Sequence, residues 1–159
     1  MYDQRAFPIK APAKFVYEWM TTPSPEDTAT TRGLASRKVT ETWKFQNTTE
    51  DKGTLAGRSY TSKAVLRKYP PSRWRLEEEA GAWYHRTEFA LEDTPEGTLL
   101  KTSMEIIVRG WRRYFAKSFR RRFSDDFDAR IRGWVAAIEG DVKKLPAEAP
   151  RDIPKQYGS

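Results

Sequence analysis

A chain of 159 residues, 38% hydrophobic and 13% aromatic, has enough apolar surface for one domain with a real core. The absence of cysteine excludes disulfides, thiol catalysis and thiolate metal sites, and the single histidine, His85, excludes any site that needs two imidazoles. The net charge of +7 favours anionic partners or surfaces without naming one. Met1 to Lys10 is charged and has no apolar core segment, so it does not read as a secretory signal. No apolar run approaches membrane-spanning length, and the expectation is a soluble, cytoplasmic protein.

Tyr2 to Lys10 reads as an edge strand. Ala11-Pro12-Ala13 opens a short helix with Phe15, Val16 and Trp19 as its buried side, since proline at a helix start loses no hydrogen bond. Ser24-Pro25-Glu26-Asp27 opens a second short helix with a serine cap. From Arg37 the period switches to two. Val39, Glu41, Trp43 and Phe45 share one face, and Asn47 to Gly53 reads as a polar turn. Thr54 to Tyr69 follows as a strand with Ala56, Arg58, Tyr60, Ser62, Ala64 and Leu66 on one side. Tyr69-Pro70-Pro71-Ser72 must interrupt the pairing, because proline cannot donate to a ladder.

Three more faces alternate: Trp74, Leu76, Glu78 and Ala80; Trp83, His85, Thr87, Phe89 and Leu91; and Leu100, Thr102, Met104, Ile106 and Val108. Gly110 then releases the chain into a helix over Arg112 to Leu145. Its stripe is Phe115, Phe119, Phe123, Phe127, Ile131, Trp134, Ile138, Val142 and Leu145, recurring every three or four residues. Such a helix must lie against a large apolar surface, and the strands supply one. The expected organisation is one α+β domain over residues 1–145, with a proline-punctuated extended or disordered tail over residues 146–159.

Three passages carry a family resemblance: Pro8-Ile9-Lys10-Ala11-Pro12-Ala13-Lys14-Phe15-Val16-Tyr17, Tyr69-Pro70-Pro71-Ser72-Arg73-Trp74, and the stretch from Phe127 to Leu145. In this order the chain resembles the START-like (SRPBCC) helix-grip superfamily of lipid carriers, birch-pollen-type allergens and polyketide cyclase-like proteins. The resemblance implies a curved antiparallel sheet of six to seven strands wrapped on the long C-terminal helix, with two short helices after the first strand. It also implies a cavity for an apolar ligand between sheet and helix. It implies no reaction, because members of the superfamily bind lipids, quinones, polyketides or hormones and few are enzymes.

Glu41 is the oddity of the first strand face, a carboxylate between Val39 and Trp43 that would be costly to bury unpaired. Arg58 is its expected partner, unless both simply reach water near the end of the sheet. His85 sits between Trp83 and Thr87, where it is either a satisfied polar group, a ligand hydrogen bonder or a proton carrier beside Glu41. Ser62, Tyr60, Glu78 and Thr102 are further polar groups on inward faces. The leading expectation is a hydrophobic or aromatic small molecule, or a lipid, held in the cavity. Its walls would be Trp43, Tyr60, Trp74, Trp83, Phe89 and Met104, and its lid Phe123, Phe127 and Trp134. Glu41, Arg58, His85 and Thr87 would orient it. A cyclase- or dehydratase-type enzyme using His85 and Glu41 is the alternative, and a chaperone-activator-like interaction module a third.

The basic run Arg109, Arg112, Arg113, Lys117, Arg120, Arg121 and Arg122, beside Trp111 and Tyr114, suits a peripheral contact with an anionic membrane or polyanion, or else a solvated helix face. Arg121–Asp125, Arg122–Asp126, Asp126–Arg130 and Asp128–Arg132 are spaced to pair along the helix. Asp125, Asp126 and Asp128 are spread too widely around it for a metal site, and no cofactor is expected. Inward-alternating aromatics argue against nucleic acid, which needs an exposed stacking platform.

Overall fold

The computed structural model describes residues 2–145, without the side chains of Tyr2 and Arg112; the expected tail lies outside the described residues. Seven strands form one antiparallel sheet: β1 (Tyr2–Ile9), β2 (Leu34–Thr42), β3 (Gln46–Leu55), β4 (Arg58–Tyr69), β5 (Arg73–Ala80), β6 (Trp83–Thr94) and β7 (Gly97–Val108). Strands β2 to β7 pair in sequence order, and β1 closes on β7, giving the order β1-β7-β6-β5-β4-β3-β2. Between β1 and β2 lie helix α1 (Ala13–Met20) and a short 3-10 helix (Pro25–Ala29). A second 3-10 helix (Gly110–Phe115) leads into α2 (Ala116–Lys143).

Alternation along β5, β6 and β7 comes out as read. Trp74, Glu78, Trp83, His85, Thr87, Phe89, Leu100, Met104 and Ile106 are all buried on the face that α2 covers. From the helix side, Phe123, Phe127, Ile131, Ile138 and Val142 fill the interior, joined by Phe15, Val16 and Trp19 of α1. The α1 helix is also fixed by Trp19 Nε1 donating to Asp141 at 2.9 Å, which ties it to the end of α2.

Besides the expected strand Thr54–Tyr69, which starts only at Arg58 because Ala56 and Gly57 form the turn before it, two boundaries differ from the sequence expectation. Asn47 to Gly53 is no turn; it lies within β3, and the turn falls at Trp43 to Phe45, where the Trp43 N–H donates to the Gln46 carbonyl at 2.7 Å. The segment is polar because its neighbours are polar. Arg37 donates from Nε to Asp51 Oδ1 at 3.0 Å, from Nη2 to Asp51 Oδ2 at 2.9 Å, and from Nη1 to Asp27 Oδ2 at 2.6 Å. Asn47 Nδ2 reaches the Thr21 carbonyl at 3.3 Å. Buried polar groups satisfied in this way can occupy a strand as readily as apolar ones. The second difference is at the start of the long helix, whose first turn is 3-10 and whose Phe115 is 64% exposed. Burial of the stripe begins at the half-buried Phe119 and is complete at Phe123, because the helix passes over the sheet only from there.

Candidate functional site

The interior polar cluster is made by three neighbouring strands. Glu78 and His85 are direct cross-strand partners, and Ser62 pairs with Ala80 next door, so all three side chains share the inner face. His85 Nε2 is 3.0 Å from Glu78 Oε1, Ser62 donates to Glu78 Oε2 at 2.5 Å, and Thr87 Oγ1 is 3.0 Å from His85 Nδ1. An ionised carboxylate only accepts, so the proton of the His85–Glu78 contact sits on Nε2. Burial works to raise the Glu78 pKa, but the hydrogen bond and charge of His85, the Ser62 hydroxyl and the charge of Arg130 outweigh it and hold Glu78 below the ordinary carboxylate range. Aromatic rings seal the cluster: Trp83, Phe123 and Phe127 lie 5.8, 5.4 and 5.2 Å from the imidazole, centroid to centroid.

Beside it, Arg130 enters from α2, donating to Tyr60 OH at 3.0 Å and to the Arg32 carbonyl at 2.7 Å. Burial pushes the Tyr60 hydroxyl up to about 12; nearby Glu78 adds to this and Arg130 opposes it. Arg130 was legible in principle: it falls on the apolar stripe between Phe127 and Trp134, where a cation needs a buried reason.

The expected walls do not enclose one deep cavity. Trp74 and Phe89 are stacked at 4.9 Å, Trp83 meets Phe123 edge-on at 4.9 Å, and Phe127 meets Trp134 at 6.0 Å. Rings at these separations are in contact, and nothing of ligand size fits between them. A cavity of about 60 Å³ remains, lined by Trp19, Leu66, Trp74, Phe89 and Trp134 among others, with room for no more than a few waters. Met104 is buried in the same core.

Glu41 and Trp43 are corrected outright. Both are solvent-exposed, Trp43 at 63%, and the indole N–H of Trp43 donates to Glu41 at 3.2 Å. Glu41 lies past a bulge near the end of β2, an edge strand of the sheet, and Trp43 in the turn that follows, so no layer covers them. Arg58 does not oppose Glu41; it starts β4, its guanidinium 5.8 Å from the Trp111 ring centroid.

Apart from a wider groove of about 800 Å³ over Arg5, Tyr69, Arg73 and Lys101, open space lies at the end of the sheet where the β3–β4 and β5–β6 turns face the start of α2. One cavity of about 340 Å³ is lined by Tyr60, Ala82, Trp83 and Phe119, with Arg58 at its rim. A neighbouring one of about 210 Å³ is lined by Trp111, Phe115, Ser118, Phe119, Arg58 and Arg122. Arg58 and Phe119 belong to both. Neither is lined by His85, Thr87 or Glu78. At the same end Trp111 and Tyr114 are exposed, Arg113 lies 5.2 Å from the Tyr114 ring, Lys117 is exposed, and Arg109 pairs with Glu79. The Arg112 side chain lies outside the described residues.

No protein-family model matches the chain, and no curated protein matches its sequence. Its architecture has clear counterparts. The Zhui aromatase/cyclase from Streptomyces sp. R1128 superposes with a TM-score of 0.80 over 91% of this chain and 96% of that one, at 11% identity. The chain has the helix-grip fold. A START superfamily protein from Mycobacterium smegmatis (TM-score 0.65, 12% identity, 91% of this chain and 99% of that) and Ara h 8.0201 (TM-score 0.66, 12% identity, 91% and 99%) share the same START-like architecture. At these identities the likeness is one of fold, and the helix-grip domain must show its function through its own residues. No helix among the described residues is long and apolar enough to cross a membrane.

Proposed function

We propose that this helix-grip protein binds a hydrophobic or aromatic small molecule at the open end between the sheet and the first turns of α2. The observation that carries the reading is the pair of adjoining cavities that share Phe119 and Arg58, in which Tyr60, Trp83, Trp111, Phe115 and Phe119 stand among small and polar residues. Such a lining is what small-molecule sites present. Tyr60, Trp83, Phe119 and Trp111 would contact the ligand. Titration with 2-naphthol, read by tryptophan fluorescence, should give saturable quenching. An Ala82→Phe variant, which fills the larger cavity, should weaken binding about tenfold or more through the clash it builds in. The absence of saturable quenching up to the solubility limit would overturn the proposal.

Catalysis of the cyclase or dehydratase kind is favoured less. With Glu41 at the surface, proton transfer would fall to His85 and Glu78, and both ring nitrogens of His85 already hold partners beneath aromatic side chains. To the exposed Trp111, Tyr114 and Phe115, together with Arg113 and Lys117, we assign a peripheral contact with an anionic membrane. Cosedimentation with phosphatidylglycerol vesicles but not with phosphatidylcholine vesicles is its expected signature, and equal partitioning to both would refute it.

A further inference from the structure

Among the described residues, two arginines at the open end have no carboxylate to answer them. The i,i+4 spacing of Arg122 and Asp126 predicts an ion pair, but the structure spends Asp126 elsewhere: its Oδ2 accepts the Ala56 N–H at 2.7 Å. That bond anchors the two-residue turn between β3 and β4, in which Ala56 (φ 53°) and Gly57 (φ 73°) both adopt the left-handed conformation. Gly57 suits the turn because it tolerates the positive φ, and the guanidinium of Arg122 lies where a Cβ would stand, so a larger residue would displace that side chain. The guanidinium of Arg122 thus lies against the bare backbone of the turn, at the edge of the 210 Å³ cavity. Arg58, the next residue, reaches the same cavity alongside Trp111. Neither Arg58 nor Arg122 makes an ion pair among the described residues.

A guanidinium is always charged, and its fork of donors matches a planar carboxylate. Resting on the reading of this mouth as a small-molecule site, we propose that it selects aromatic small molecules bearing an anionic group, the ring lying against Trp111 and Phe119 and the anion between Arg58 and Arg122. Ser118, which lines the cavity too, adds a hydroxyl donor. Charge-assisted hydrogen bonds of this kind are about twice as strong as neutral ones, so the anion should dominate selection between ligands of similar shape.

The test compares 2-naphthoate with neutral 2-naphthol. The wild-type protein should bind the naphthoate about tenfold or more tightly. The Arg58→Gln/Arg122→Gln variant should bring naphthoate down to the level of naphthol. A control variant that removes the same charge away from the cavity, Lys63→Gln/Arg121→Gln, should keep the preference. Equal affinity for both ligands in the wild type overturns the anion selectivity while leaving the mouth as a binding site. An equal loss of preference in the control variant overturns it as well, since the general positive field would then be the cause. If neither ligand binds, the binding-site reading falls along with it.

Discussion

The imidazole of His85 and the carboxylate of Glu78 face each other at 3.0 Å across two neighbouring strands, both side chains almost wholly removed from water. Buried polar groups so placed are strongly interdependent: the imidazole N–H offsets the desolvation of the carboxylate, and removing it leaves a buried charge short of a donor. Removing one partner is therefore expected to be worse than removing both. His85→Leu should destabilise the protein by about 3–5 kcal/mol, and the His85→Leu/Glu78→Leu double variant should recover at least half of that loss. Urea unfolding of the two variants measures the difference. A double variant no more stable than His85→Leu would show that the pair does not act as a unit.

The same carboxylate sets an acid limit on stability. Its pKa in the folded protein lies below the ordinary 4.5, so the unfolded chain takes up this proton at a higher pH than the folded one. The stabilisation is complete above the ordinary value and is lost as pH falls through the lower folded value. Between about pH 6 and pH 3, unfolding free energy should fall more steeply for the wild type than for Glu78→Gln. Parallel slopes would contradict this.

At the alkaline end Tyr60 has the opposite sense. Its hydroxyl, raised to about 12 from an ordinary 10.0, stays protonated in the folded protein where the unfolded chain has already ionised. Its contribution is full below pH 10 and disappears as pH climbs toward about 12. Tyr60→Phe should accordingly flatten the loss of stability across that window, measured by denaturant unfolding at stepped pH. An unchanged slope would exclude Tyr60 as its source.

The long helix predicts a contrast between two phenylalanines that the sequence places on one stripe. Phe123 is fully buried, against Trp83, His85, Phe119 and Phe127, and Phe123→Ala should cost about 3–5 kcal/mol. Phe115, mostly exposed beyond the end of the sheet, should cost no more than about 0.5 kcal/mol when truncated to alanine. Chemical denaturation of both variants checks the pair, and similar losses would mean that the helix start is covered.

Much of the fold was legible because period and punctuation act locally. The alternation from Trp74 to Val108 and the stripe from Phe119 to Leu145 each report which side of an element is apolar, and the described structure buries those sides. The site was less legible. Glu41 and Glu78 carry the same signal, a carboxylate alternating with tryptophan and aliphatic neighbours, yet one lies on an uncovered edge strand and the other under α2. Asp126 offers a similar lesson. Spacing along the helix points it at Arg122, but the Ala56 N–H from a distant turn takes its carboxylate.

By itself, then, the sequence determined the order of elements, the inner faces of the central strands and the helix that covers them, because periodicity depends only on neighbours in the chain. Tertiary structure alone decided that Glu78 rather than Glu41 meets His85, that the aromatic walls close on one another, and that Arg58 and Arg122 line the open space at the mouth. Those outcomes depend on strand register and on where the helix begins to overlie the sheet, and both are set by contacts between residues far apart in the chain.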